Sequence, residues 1–238
     1  NRRLLWKRSL DELYWSLEFL EYLLSRPEVC LEESLFFEED RYEILKFVKN
    51  KIILAFLSEV PYEELFDDKD VYYQRQYRKK VDNNIRRAGE QIYALELDGQ
   101  SYLLPLNHFE YPVFFHKHGI EVLPSNVRGS IEGLDIIDAG AFIGDSALIL
   151  KELNPRRIYA FEPVESNFYF LIKTLKLNNM RNVIPVKMAL GDKEGYISLI
   201  DRGSGSMVSQ QSYNSKQVPL TTIDSFVEKH NLHVGLIK

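Results

Sequence analysis

Apolar residues recur at three- and four-residue steps through the first third of the chain, and then the rhythm changes. Leu10, Leu13, Leu17, Leu20 and Leu24 fall on one face of a predicted helix, and Pro27 interrupts the pattern. Leu45, Val48, Ile52 and Phe56 mark a second helix, expected to end before Pro61. Tyr73, Tyr77, Val81 and Ile85 keep a four-residue step and predict a third, with Gly89 as its stop. Beyond Gly89 the texture is that of strands. Tyr93-Ala94-Leu95-Glu96-Leu97 and Ser101-Tyr102-Leu103-Leu104 flank Asp98-Gly99, a turn pair that predicts a β-hairpin at about 92–105. An aromatic segment follows from His108 to His118, with Tyr111, Phe114 and Phe115.

From Leu134 onward strands and helices alternate. Strands are predicted at 134–138, 157–161, 183–186, 195–200 and 234–237, and helices at 145–153, 165–177 and 222–231. Pro185 marks the third strand as an edge. Such alternation predicts an α/β fold with parallel pairing and right-handed crossovers. The expected division is a helical N-terminal region over 1–90, serving as cap, substrate-recognition or oligomerisation element, and an α/β domain over 91–238.

Composition narrows the function. The chain is 45% apolar and 13% aromatic, which suits a packed core. Its net charge of −5 argues against nucleic acid as a partner. The third helix gathers Arg75, Arg78, Lys79, Lys80, Arg86 and Arg87. These read either as an anion patch or as a solvated face balanced by Glu38, Glu39 and Asp40, and the acidic balance favours the second. One cysteine, Cys30, allows no internal disulfide and suggests a reducing compartment. The start at Asn1 instead of a Met points to a beginning further upstream, and no secretory signal is visible. The longest uninterrupted apolar run, Ile52 to Leu57, is far too short to span a bilayer, so a cytoplasmic protein with no membrane partner is expected.

The chemistry concentrates in Asp138-Ala139-Gly140-Ala141-Phe142-Ile143-Gly144-Asp145-Ser146, the turn leaving the first parallel strand, where ligands of such sheets bind. Gly140 allows close approach of a ligand to the backbone, and Gly144 relieves crowding at the helix start. A dinucleotide fingerprint requires a third glycine where Phe142 stands, and a bulky side chain there leaves little room for a pyrophosphate. Asp138 can accept a hydrogen bond, directly or through water, from a ligand's ammonium end. Glu162 ends the next strand, eighteen residues beyond Gly144, where an acid can take both ribose hydroxyls. Pro163 suits the helix start that follows. Together these predict nucleoside binding.

The stretches Asp138 to Ser146, Ala160-Phe161-Glu162-Pro163-Val164-Glu165-Ser166-Asn167-Phe168, Ala189-Leu190-Gly191-Asp192, Val218 to Phe226 and Gly235-Leu236-Ile237-Lys238 occur in order and resemble the FkbM family of S-adenosylmethionine-dependent methyltransferases. The resemblance covers roughly residues 90–238. It implies a Rossmann-like class I methyltransferase core, S-adenosylmethionine as cofactor, and methyl transfer to an oxygen on a sugar, polysaccharide or secondary metabolite. It also implies that Asn167 helps position the cofactor near Glu162, that Met188, Ala189 and Leu190 lie near the adenine, and that Gly140, Ala141, Phe142, Gly144, Asp145 and Ser146 belong to the cofactor site. Phe142 departs from the Asn more usual in the family. In the family an acidic stretch contributing to the active site follows the equivalent of Lys238, so a fragment, with its sheet cut short at the C-terminus, is expected.

A hydroxyl acceptor needs a base. His108, His116 and His118 are the candidate bases, and Ser206 is a further catalytic candidate because Ser204-Gly205-Ser206 resembles a small-residue loop near the methyl-transfer site; a flexible hairpin end is the alternative. No metal is expected, since His116 and His118 lack a third ligand at a recognisable spacing. Self-association through the N-terminal helices is a possible further partnership. Two rival classes stand beside the methyltransferase: a nicotinamide oxidoreductase, and a nucleoside-binding module without catalysis.

Overall fold

The structure is a computed structural model that describes residues 5–25, 38–200, 207–208 and 216–238. Cys30 and the Ser204-Gly205-Ser206 loop, with the candidate Ser206, lie outside the described residues. Two compact units divide between Arg75 and Gln76.

In the first unit β1 (Leu5–Lys7) pairs antiparallel with β2 (Glu59–Pro61) across α1 (Leu10–Ser25) and α2 (Glu38–Phe56). Ser9 and Glu12 cap α1 reciprocally, each side chain accepting the other's backbone N–H at 3.1 and 2.7 Å. The predicted leucine stripe of α1 is only half inward: Leu13 and Leu20 are partly buried, while Leu10, Leu17 and Leu24 are exposed. The helix turns its Ser16–Phe19 side inward instead, with Phe19 edge-on to Phe47. A short α3 (Tyr62–Leu65) follows, and Leu54, Val60 and Leu65 form this unit's core.

The helix α4 (Asp68–Lys80) stops before the predicted third helix would. Its pattern continues through Val81, but a single 3-10 turn over Asp82–Asn84 reverses the chain, and Ile85 opens β3 (Ile85–Gly89). Arg86, Arg87 and Gly89 therefore belong to a strand, and the six basic residues do not share one helix face. The expected hairpin is present as β4 (Ile92–Leu97) and β5 (Gln100–Leu104), to which β3 adds antiparallel.

The parallel sheet begins after α5 (Ser125–Ile131). Its strands are β6 (Asp135–Ala139), β7 (Arg157–Phe161) and β8 (Val183–Val186), with α6 (Asp145–Leu150) and α7 (Glu165–Leu177) between them. A second sheet holds β9 (Ala189–Leu190), β10 (Gly195–Ile200), β11 (Met207–Val208) and β12 (Lys216–Thr221). The chain then forms α8 (Ile223–His230) and β13 (Val234–Ile237), which returns beside β6. The order β13-β6-β7-β8 is parallel throughout and leaves β8, with Pro185, at the edge. One sheet face buries Ile136, Ile158 and Ala160 with α6, α7 and the β3–β5 sheet; the other buries Ile137, Tyr159 and Phe161 against Phe226 and Leu232. This is a Rossmann-like α/β arrangement, and it reverses direction at β6, where β7 lies on one side and β13 on the other.

Candidate functional site

At the carboxyl end of β6 the chain makes three left-handed turns in five residues: Gly140 (φ +82°), Phe142 (φ +47°) and Gly144 (φ +84°). The N–H groups of Gly140 and Ala141 both donate to Phe161 O, at 3.1 and 2.8 Å, tying the turn to the end of β7. Ala141 itself is buried in the core. Among the described residues a Cβ on Gly140 would meet nothing within 4 Å, whereas one on Gly144 would lie 2.7 Å from Leu171 Cδ1. Gly140 thus faces open space and Gly144 is packed against α7. A phenylalanine at positive φ is strained; it is held by its N–H, which donates to Glu162 Oε2 at 3.0 Å, and by its ring, 5.2 Å from that of His108.

Glu162 is nearly buried and fixed from both sides. Its Oε1 accepts from Val164 N at 2.8 Å and faces Asn167 Nδ2 at 3.4 Å, while Oε2 accepts from Phe142 N. An ionised carboxylate only accepts, so hydroxyl donors are the ligand groups that suit it. Pro163 and Val164 border a cavity of about 420 Å³ whose other walls include Leu199 and Val218. Ala189 and Leu190 stand in the second sheet; Ala189 packs against the cluster of Val164, Leu199 and Val218, and Leu190 against that of Ile137, Tyr159, Phe161, Phe226 and Leu232.

Asp138 is wholly buried, and burial pushes its carboxyl above the usual range against the pull of Lys238. Its Oδ1 accepts from Lys238 Nζ at 2.9 Å, and its Oδ2 has no hydrogen-bond partner among the described residues. Lys238 Nζ also reaches Ser146 Oγ at 2.9 Å and Gly140 O at 3.3 Å. Ammonium only donates, so Ser146 Oγ accepts there, and the same hydroxyl meets His118 Nε2, 3.2 Å away. Burial pushes the His118 imidazolium down to about 4, helped by Lys238. Asp145 is buried beside Ser146 and pushed up to about 6, chiefly by burial.

The aromatic segment delivers the remaining groups. It runs through a short helical turn over Tyr111–Phe115 and a 3-10 segment over Lys117–Val122, whose Val113, Phe114 and Ile120 are buried in the same cluster as Ile136 and Ile143. His108 Nε2 lies 2.7 Å from a Glu110 carboxylate oxygen, and this hydrogen bond raises the imidazole's pKa while lowering that of the acid. The two, with Tyr77, Asp82, Ile85 and Asn107, line a second cavity of about 520 Å³. His116 is exposed, its ring edge-on to Tyr111 and Phe115. His116 and His118 thus part company, one on an aromatic cluster and the other on Ser146. Sequence reasoning singled out neither Glu110 nor Lys238. The signal for Lys238 was the parallel register of β13 on β6, which pairs Ile237 with Ile137 and so brings Lys238 beside Asp138.

A reversal point at β6, a glycine turn over open space and a fixed acid at the end of β7 are the features of a Rossmann-like ligand site. Residues 138–238 match the family model described as the Methyltransferase FkbM domain, so the family resemblance holds over that stretch, from Asp138 to Lys238. Among solved structures, the chain is similar to the methyltransferase FkbM from Methylobacillus flagellatus KT, at 11% identity and a TM-score of 0.37, over 90% of this chain and 40% of that one. It is similar to M. jannaschii TYW2 in complex with AdoMet at 22% identity and a TM-score of 0.31, over 42% of this chain and 45% of that one. A SAM-dependent methyltransferase from Agrobacterium tumefaciens gives 12% and 0.34, over 52% and 45%. The chain thus spans less than half the length of each of these structures. Comparison with curated proteins found no match. Among the described residues no helix is long and apolar enough to cross a membrane.

Proposed function

We propose that this chain is a S-adenosylmethionine-dependent methyltransferase acting on a hydroxyl of a sugar, polysaccharide or secondary metabolite. The observation that carries the reading is Glu162, locked by Val164 N and Phe142 N at the end of β7 beside the open face of Gly140. It is supported by the match of residues 138–238 to a methyltransferase domain. The donor set suits the cofactor: Glu162 for the ribose, Met188 to Leu190 for the adenine, and Asp138, Gly140, Asp145 and Ser146 for the methionine end. When bound, S-adenosylmethionine supplies a methyl group already activated by its sulfonium. The protein's task is then to orient, exclude water and remove a proton.

For that proton the best-placed group is His108. Glu110 orients its imidazole as a carboxylate orients the histidine of other acid–base pairs. The imidazole also touches Phe142 of the glycine turn and lines the 520 Å³ cavity, whose polar walls suit a hydroxyl-rich acceptor. The hydroxyl proton would pass to His108 as the oxygen gains its methyl group.

Calorimetric titration with S-adenosylhomocysteine, and separately with NAD, tests the reading. Binding of S-adenosylhomocysteine is expected, weakened about a hundredfold in Glu162→Ala by the loss of two charge-assisted hydrogen bonds. Binding of NAD alone overturns the proposal in favour of an oxidoreductase.

A further inference from the structure

Lys238 sits where a cationic ligand end would belong. Its Nζ gathers a carboxylate oxygen (Asp138 Oδ1, 2.9 Å), a hydroxyl (Ser146 Oγ, 2.9 Å) and a backbone carbonyl (Gly140 O, 3.3 Å). These three acceptors all come from the turn assigned to the cofactor's methionine end, and an α-ammonium group seeks the same three kinds of partner. Asp138 is sealed beneath the lysine: none of its side chain is exposed, and the lysine side chain is 24% exposed. A ligand's ammonium reaches Asp138 only if Lys238 lets go. The lysine's flexible four-carbon stem and its partial exposure allow that. The surrounding charge favours a cation over an anion, because Asp138, Asp145 and Glu110 face Lys238 and His108, while burial holds His118 neutral.

We propose that Lys238 is a built-in competitor for the cofactor's ammonium: it fills the Asp138, Gly140 and Ser146 acceptor set, and a ligand carrying an α-ammonium binds by displacing it. This rests on the cofactor reading above. It makes the methionine end, and not the nucleoside, the part whose affinity the protein holds down. Nucleosides without an amino-acid tail bind with Lys238 in place.

The test compares S-adenosylhomocysteine with 5′-methylthioadenosine, which keeps the adenosine and lacks the amino acid, by calorimetry on the full chain and on Lys238→Met. The variant is expected to bind S-adenosylhomocysteine about tenfold more tightly, with 5′-methylthioadenosine changed by no more than about twofold. Weaker binding of S-adenosylhomocysteine, or the same change for both ligands, overturns the proposal and leaves the cofactor site standing. Failure of the unaltered chain to bind either ligand overturns the cofactor reading and the proposal with it. Lys238→Ala with added ethylammonium gives a second measurement should the Met variant fold poorly. Ethylammonium is expected to raise the unfolding temperature of that variant alone, and to weaken its binding of S-adenosylhomocysteine but not of 5′-methylthioadenosine. Equal stabilisation of both proteins by ethylammonium sinks the idea.

Discussion

Gly140 and Gly144 share a left-handed backbone, with φ of +82° and +84°, and differ only in what surrounds them. An alanine at either place meets the left-handed penalty of about 1–2 kcal/mol. At Gly144 the new methyl also drives into Leu171, a fully buried side chain that must shift to take it, which adds about 1–3 kcal/mol of overpacking. Urea unfolding should therefore find Gly144→Ala less stable than Gly140→Ala by at least about 1 kcal/mol. Binding of S-adenosylhomocysteine should show the reverse order, because a methyl on Gly140 enters the space left open for a ligand. Equal stability costs would mean that the clash is relieved elsewhere. Phe142 belongs to the same scale. The family's usual Asn tolerates the left-handed region, and here a phenylalanine occupies it, held by Glu162 and resting on His108.

At the scale of elements, the turn that presents His118 is the most strained in the described structure around the site. Lys117, His118 and Gly119 are left-handed in succession, with φ of +46°, +51° and +75°. Ion pairs from Lys117 to Glu121 and Glu152, at 3.1 and 3.3 Å, hold the turn and aim the imidazole at Ser146. Because the folded-state pKa of His118 is pushed down to about 4, below the ordinary 6.5, the unfolded chain takes up that proton first. The stability contributed is fully present above about pH 6.5 and is lost as pH falls toward 4. His118→Gln should accordingly destabilise the protein more at pH 7.5 than at pH 4.5. The opposite slope from Asp145, pushed up to about 6, is common to both proteins and drops out of the difference. An equal cost at both pH values would mean that His118 is not held neutral. Much at this scale was legible in sequence: the strand at 157–161, the helix at 165–177 and the strand at 183–186 have the observed bounds, because the strands are short apolar runs and the helix is an amphipathic stretch that opens just after Pro163 and closes before Asn178-Asn179. The third helix overran because Val81 and Ile85 do reach the same core, but from a helix end and a strand. Likewise β12 was missed: its core-facing Val218 and Leu220 alternate around Pro219. Of the site, Glu162 and the glycines could be read locally. Glu110, His118 and Lys238 could not, since their roles depend on strand register and on one strained turn.

At the scale of the molecule, the matched domain begins at Asp138, but the folded unit that contains it begins at Gln76. The intervening residues are part of its interior. Val81, Leu95, Tyr102, Leu104 and Phe114 are buried in the same cluster as Ile136, Ile143 and Leu148. Asn178, just past α7, closes both ends of its amide on Leu103, accepting from the backbone N–H at 3.0 Å and donating to the carbonyl at 2.7 Å, so that β5 is bonded to the core as a neighbouring strand would be. His108, Glu110 and His118 come from this stretch as well. Each large buried side chain is worth about 2–5 kcal/mol, and a domain's whole stability is about 5–15 kcal/mol, so removing five of them exceeds what the core can lose. A chain of residues 134–238 should show no cooperative thermal transition. A chain of residues 68–238, which keeps α4 entire, should unfold cooperatively and bind S-adenosylhomocysteine within about twofold of the 238-residue chain. Loss of binding in that second chain would place part of the cofactor site in residues 1–67, and a cooperative transition in the first would make the β3–β5 sheet an accessory to the fold instead of a wall of its core.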